Sequence, residues 1–301
     1  MSRLDVNRSG EMELFVRVVD GGSLSAAARA LRMTPSAVSK SVSRLESRLG
    51  VRLLNRSTRG LQLTAEGRRF HERSRQVLDD LDEAEREVAG ESSPGGRLCV
   101  NANVPFGHHL LLPIVPAFLE HYPAIELDVV LSDEVVDLLG KRADVAIRAG
   151  PLRNSRLVAR RLGATRMTVV AAPSYLARHG RPRRPRDLAR HRLIDFDYAR
   201  ARKGWPLLDG GAAIRIEPPG RLQASDGEAV RRLALAGAGI ARLAAFQARE
   251  DIAAGRLVPI LERCNPGDTE EVHAVFVGQG GHLPSRVRVF LDFLVANSGL
   301  H

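Results

Sequence analysis

Between Thr34 and Gly50 the chain writes a helix with two very different faces. Thr34-Pro35 places an N-capping hydroxyl before a proline at the first helical position, where its missing N–H costs nothing and its fixed φ suits the turn. Val38, Val42, Leu45 and Leu49 then follow at spacings of four, three and four, which makes one apolar face, and Gly50 supplies the stop. The opposite face carries Ser36, Ser39, Lys40, Ser43, Arg44 and Ser47, hydroxyls and cations able to enter a major groove and bond phosphates or base edges. Taken alone, that face also fits an ordinary solvated surface; its surroundings decide between the two.

Upstream, Met12, Phe15, Val16 and Val19 recur at helical spacing until Gly21-Gly22 ends the run. Ser23 caps a short second helix whose narrow stripe, Leu24, Ala27, Ala28 and Leu31, lets another helix approach closely, and Arg32-Met33 makes a tight break. Downstream, VRLLNRSTRGLQLT reads as two short strands around Ser57 to Gly60, a wing whose Arg56, Ser57 and Arg59 lie in reach of the minor groove or flanking phosphates. The expected architecture is a winged helix-turn-helix, with Thr34, Pro35, Ser36, Ser39, Lys40, Ser43, Arg44, Arg56, Ser57 and Arg59 as the DNA-contacting set. Charge agrees. From Arg29 to Arg75 there are twelve basic residues against three glutamates, whereas from Asp79 to Glu87 six acids face only Arg86. The formal net charge of +10 is thus concentrated locally, as an electrostatic footprint on a polyanion should be.

The stretch SLSAAARALRMTPSAVSKSVSRLESRLGVRLLNRSTRGLQLTAEG, within a match from about Leu14 to Gly67, resembles the DNA-binding domain of LysR-type transcriptional regulators. The resemblance implies a dimer that docks two such helices into successive major grooves of an interrupted dyad, in keeping with two-fold half-sites.

A long helix is expected from Thr64 to about Ala89, with Phe70, Val77 and Ala84 in one heptad row and Ser74, Leu81 and Val88 in the next. Phe70, Val77, Leu81, Ala84 and Val88 are therefore the candidate dimerisation seam; the alternative is packing on the helix's own domain. The domain plan runs 1–63 for the DNA-binding module, 64–90 for the linker helix, 91–96 for a hinge within GESSPGG, and 97–301 for a regulatory domain.

In that last part strands alternate with helices, which indicates α/β architecture. Strands are expected at Leu98–Ala102, Ile125–Leu131, Val145–Arg148, Met167–Ala172 and His273–Val277, and long helices near His109–Tyr122, Gly227–Ala236 and Ser285–Ala296. VLSDEVVDLL, ADVAIRAG, LVARRLG, AAPSYLARHG and GEAVRRLALAGAGIA are similar to LysR-type effector domains. The resemblance implies a two-lobed, periplasmic-binding-protein-like fold: lobe 1 about 97–163 and 268–301, lobe 2 about 164–267, with crossing strands near Gly163–Met167 and Leu261–Val272. A small-molecule effector would lie between the lobes. The turn after the first strand, Asn103, Val104, Pro105 and Phe106, offers backbone N–H groups suited to an anion, with Arg148 as a second carboxylate-binding element or a surface pair. Phe196, Ser225 and Asp226 face the cleft by resemblance, with turn or cap as their other reading. Pro105 departs from the family's serine or threonine, Arg242 from its aliphatic residue and Ala244 from its proline. The resemblance also implies contact with RNA polymerase, and either a homodimer or a homotetramer.

Other classes fit poorly. There is no HExxH, GxSxG or P-loop, and GAGIAR lacks the final glycine of a dinucleotide fingerprint, so no enzyme, cofactor or metal is expected. His108-His109 diverge on a helix, and Cys99 and Cys264 lack CxxC spacing. The Arg-rich run Arg178 to Arg192 reads as a surface loop, with attraction of anions as the alternative. The opening residues lack a secretory pattern and no apolar stretch spans a bilayer, so a cytoplasmic location is expected. The remaining alternative is a ligand-binding protein that does not read DNA sequence.

Overall fold

The computed structural model describes residues 7–57, 60–88, 94–133, 143–151, 158–197, 204–276 and 283–300. The chain divides into two compact units, Met1–Gly96 and Arg97–His301.

The first unit holds α1 (Arg8–Asp20), α2 (Leu24–Ala30), α3 (Pro35–Leu49), the antiparallel pair β1 (Leu54–Ser57) and β2 (Gly60–Leu63), and α4 (Ala65–Val88). The caps fall where the hydroxyls predict. Ser23 accepts the Ala26 N–H at 3.1 Å and Thr34 the Ala37 N–H at 3.2 Å, while Gly50 adopts φ 71° to end α3. Phe15, Val18, Ala27, Ala28, Val38, Val42, Leu45 and Leu53 form the core. On α1 the buried face is shifted from the predicted one: Leu14 and Val18 are buried, whereas Met12 and Val19 sit at its margin. Glu11 shares that buried side, its carboxylate 2.7 Å from Arg48 of α3. Gly67 has a packing reason. A Cβ there would collide with the Leu53 carbonyl, so only glycine lets α4 start against the wing, where Thr64 Oγ1 caps it by accepting the Gly67 N–H at 2.9 Å.

The second unit is built on one mixed sheet in the order β10-β7-β11-β6-β13-β5-β3-β4, with β12 also paired to β6. In chain order these are β3 (Gly96–Ala102), β4 (Ile125–Leu131), β5 (Val145–Ala149), β6 (Val158–Ala171), β7 (Leu193–Phe196), the hairpin β8 (Trp205–Asp209) and β9 (Ala212–Ile216) off the sheet, then β10 (Gln223–Ala224), β11 (Ile240–Ala244), β12 (Val258–Ile260) and β13 (Thr269–Phe276). The helices are α5 (Val104–Phe106), α6 (Val115–His121), α7 (Pro173–His179), α8 (Gly227–Leu235), α9 (Ala245–Ala253) and α10 (Ser285–Asn297).

Two expectations change here. The helix foreseen over His109–Tyr122 is a chain of short turns from Val104 to His121, because Pro105, Pro113 and Pro116 remove ladder donors and force the pitch to change between turns. The strand foreseen at Met167–Ala172 is the end of a continuous 14-residue β6, whose polar first half is held by β13. The register slips once, between Val272 and His273, which leaves Leu162 as an inserted residue opposite them. Of the strand foreseen to Val277, the described part ends at Phe276. One apolar cluster lies under β3, β5 and α10; two more flank the β6–β7–β11 side, above and below the sheet. No helix among the described residues is long and apolar enough to cross a membrane.

Candidate DNA-binding face and effector cleft

α3 presents Ser36, Lys40, Ser43 and Arg44 to solvent, with Ser39 half-buried beside Val38 and Val42. Thr34 Oγ1 lies 3.1 Å from Ser36 Oγ, so the cap and the first outward hydroxyl share one hydrogen bond. The helix is aimed by ion pairs that the sequence did not announce. Glu11 of α1 sits 2.7 Å from Arg48 and 3.6 Å from Arg44, and Glu46 Oε1 accepts the backbone N–H groups of Leu53 and Leu54 at 2.7 and 3.0 Å. Arg44 therefore has two faces to its environment, an anchor on Glu11 and a head still 72% exposed. Arg56 and Ser57 fall on β1, where only the backbone is described, and Arg59 lies outside the described residues.

Along α4 the predicted seam separates into two parts. Phe70 belongs to the module's own core, its ring 5.4 Å from that of Phe15, and His71 bonds Asp20 at 2.9 Å. A heptad pattern cannot tell an outward seam from a residue that docks on α1. Val77, Leu81, Ala84 and Val88, further along, are exposed, Val88 at 91%.

In the second unit the residues singled out after β3 gather at the ends of β3 and β5, but not all line an opening. Phe106 is buried in the core below β3, and Pro105 is buried against Gly227: a Cβ on that glycine would meet Pro105 Cγ at 2.6 Å. Asn103 ends β3, and its side-chain Oδ1 is a buried acceptor with no partner among the described residues. Arg148 donates to the Ile147 carbonyl at 2.9 Å and to Asn101 Oδ1, so it is braced along its own sheet. Phe196 ends β7 and packs on the cluster around Ile194 and Val230, while Asp226 caps α8 through the Ala229 N–H at 2.8 Å and bonds Ser225 Oγ at 3.1 Å.

Asp133 joins these pieces, and sequence reading missed it. Its Oδ1 accepts the Val104 N–H at 2.8 Å. Burial raises its pKa above the ordinary carboxylate value and the Asp226 charge adds to this, while the amides of Val104 and Gly227 and the Arg148 charge oppose. Burial in turn lowers the Arg148 pKa, which Asp133 counteracts. The signal in the sequence is slight: an acid two residues after the strand IELDVVL, which the topology sets beside β3. Nearby, His109 Nε2 lies 3.1 Å from Glu228 Oε2, and the chain of pairs continues through Arg231 to the fully buried Asp251. Burial raises the Glu228 pKa, but hydrogen bonds from His109 and Arg232 and the Arg231 charge outweigh it and leave the net shift downward.

The departure at Arg242 is explained by pairing. The side chain is 8% exposed and its Nη2 reaches both Asp268 oxygens at 2.6 Å, tying β11 to the turn before β13. The Arg-rich run is only partly the expected loop: Arg178 lies in the last turn of α7 and Pro185–Arg190 wind into a 3-10 helix, and Arg178, Arg181 and Arg192 donate to the carbonyls of Gly237, Pro259 and Ala238. Among the described residues no group of His, Cys, Asp and Glu is placed to hold a metal ion.

A winged helix-turn-helix followed by a mixed α/β domain of this topology defines a DNA-binding regulator with a sensing domain. Comparison with known proteins places it further. Residues 10–68 match the bacterial regulatory helix-turn-helix family of LysR type and residues 91–299 the LysR substrate binding domain, so the chain belongs to the LysR family of transcriptional regulators. It is 42% identical over 293 residues to the HTH-type transcriptional regulator CrgA of Neisseria meningitidis, covering 97% of each chain, and 33% identical over 290 residues to the HTH-type transcriptional activator AaeR of Escherichia coli, covering 96% of this chain and 93% of that one. The solved structure of CrgA superposes with a TM-score of 0.64 at 41% identity, covering 98% of this chain and 100% of that one. Full-length AphB, the Vibrio cholerae virulence activator, gives 0.59 at 28% identity, covering 99% and 100%.

Proposed function

We propose that this regulator reads promoter DNA in the cytoplasm through Thr34, Pro35, Ser36, Ser39, Lys40, Ser43 and Arg44, with Arg56, Ser57 and Arg59 of the wing on the flanking backbone. The observation that carries this is the solvent-facing row of hydroxyls and cations on α3, a helix capped at both ends, tied to α1 through Glu11 and to the start of the wing through its own Glu46. Symmetric half-sites need a two-fold protein, and the exposed row Val77, Leu81, Ala84 and Val88 suits a coiled-coil partner from a second copy, as a dimer or a dimer of dimers. The second unit works as two lobes, about 97–163 with 268–301 and about 164–267, joined along β6 and β13. A small-molecule effector sits between them near Asn103, Val104, Arg148, Ser225 and Asp226. An effector that favours one lobe orientation shifts that equilibrium and so changes how the DNA-binding heads meet the promoter and RNA polymerase.

The test is selection of genomic fragments by the purified protein at physiological salt, followed by footprinting of the best fragment. An interrupted dyad within a promoter is the expected result. Binding that is steeply salt-sensitive but indifferent to sequence would overturn the assignment of α3 as a reading head.

A further inference from the structure

The strand ends of the cleft already hold an anion, and it belongs to the protein. Asp133, two residues after β4, accepts the Val104 N–H at 2.8 Å from the turn after β3, and the amide of Gly227, first residue of α8, acts on the same carboxylate. Those two amides belong to different elements, the turn after β3 and the start of α8, which meet where Pro105 packs against Gly227. The cation that would draw in a foreign carboxylate, Arg148, spends two donors on Ile147 and Asn101. A second carboxylate, Asp226, stands close enough to act on Asp133 and is itself fixed as the cap of α8. Beside them the Asn103 Oδ1 is a buried acceptor with no donor among the described residues. Position by position, the site is rich in acceptors.

We infer that Asp133 determines effector specificity: it occupies the anion position of the cleft, so that the protein excludes carboxylate effectors and takes an uncharged or cationic small molecule that presents hydrogen-bond donors to Asp133 and Asn103. The inference rests on the reading of this cleft as the effector site, and it reverses the anionic class that the free amides suggest in the sequence. A Coulomb argument supports it. Two carboxylates against one guanidinium leave the site net negative, and like charges brought together in a partly buried place repel far more than in water.

Chemical rescue tests the inference on the full-length chain. In Asp133→Ala the vacated position should accept acetate, giving a saturable rise in melting temperature of roughly 2–5 °C at about ten times its Kd, at constant ionic strength. Wild type and Asp133→Asn should show no acetate response, the first because its own carboxylate fills the position and the second because an amide oxygen does. Methylammonium, a donor-bearing cation, should stabilise wild type and lose that effect in Asp133→Ala. If Asp133→Ala does not fold, Asp133→Ser carries the same readouts. Equal acetate stabilisation of wild type and the small-side-chain variants, or no acetate response in any of them, overturns the inference. Footprinting of the selected operator in the same samples separates it from the broader reading. Rescue with a footprint indifferent to probe and variant upholds Asp133 as the anion of the cleft and overturns the coupling of that cleft to DNA. A footprint altered by methylammonium in wild type supports both.

Discussion

On α3, Lys40 and the outward hydroxyls face solvent, and the cations behind them are gathered by one buried carboxylate, Glu11. In the cleft of the second unit the arrangement is the opposite. Arg148, Asp133, Asp226, Glu228 and His109 each engage another group of the protein, so most of their capacity is already used. The contrast separates two ways of building a binding surface. A reading head meets a ligand whose charge never changes, so it can display cations that water satisfies until DNA arrives and counterions leave. A sensing site has to discriminate between small molecules, and groups already paired within the protein offer one means, since a newcomer then has to compete with an internal partner.

The largest expected effect breaks the first side of this comparison. Replacing Lys40 and Arg44 together with alanine should weaken operator binding by about 10²–10⁴-fold, taking roughly 1–3 kcal/mol for each lost contact, and should flatten the salt dependence measured by titration at several ionic strengths. Circular dichroism and melting should remain close to wild type; specific binding retained at full strength would transfer the reading role elsewhere.

Next comes the support behind the head. Glu11→Ala should destabilise the first unit by about 1–2 kcal/mol in urea denaturation, chiefly because the half-buried Arg48 loses its carboxylate partner, while the exposed Arg44 keeps its water. Replacing Arg48 as well should recover part of the loss. If Glu11→Ala is silent, the ion pair does not orient α3.

In the sensing unit, Arg242→Leu sharpens the rule that internal partners are exchangeable. Leucine matches the aliphatic residue expected there, and Asp268 keeps access to water, so the cost in a melting experiment should stay within about 1 kcal/mol. A loss several times larger would make the Arg242–Asp268 pair essential to the β11–β13 junction.

The smallest effects lie in pH. Glu228 has its pKa depressed in the folded state, so it contributes stability above its ordinary value of 4.5 and that contribution is lost as pH falls through the lower folded value. Asp133 is shifted the other way: the folded state binds its proton more readily, so its ionisation costs stability as pH rises through the raised folded value. Melting temperatures between pH 3 and pH 7 should therefore fall less steeply toward acid in Glu228→Gln than in wild type. Asp133→Asn should instead gain relative to wild type toward neutral pH. Parallel curves for wild type and both variants would mean that neither carboxylate feels its surroundings as described.

The first unit was far more legible than the second, for a physical reason. Caps, glycine stops and apolar spacing act over a few residues, and they placed α2, α3 and the wing directly. Where that reading erred, a partner distant in sequence is involved: Glu11 is buried against Arg48 on a side of α1 that apolar spacing alone does not mark, and Phe70 packs on Phe15 instead of joining the expected seam. In the second unit the resemblance implied a crossing strand only near Gly163–Met167, yet the strand begins at Val158, because β13, about a hundred residues later, supplies hydrogen bonds to the polar VARR stretch as well. Asp133 had no local pattern to mark it, since its partners at Val104, Gly227 and Arg148 are brought together only by the sheet order.

β6 carries a mechanical consequence. Its 14 residues extend about 45 Å at the rise of a strand, and the inserted residue at Leu162 marks the place where its ladder with β13 is weakest. A paired ribbon resists being stretched or folded but twists with little loss of hydrogen bonding, and most easily at a bulge. Winding there turns the two ends of the strand against each other about its own axis, by an angle limited by how far one pair of strands can be wound.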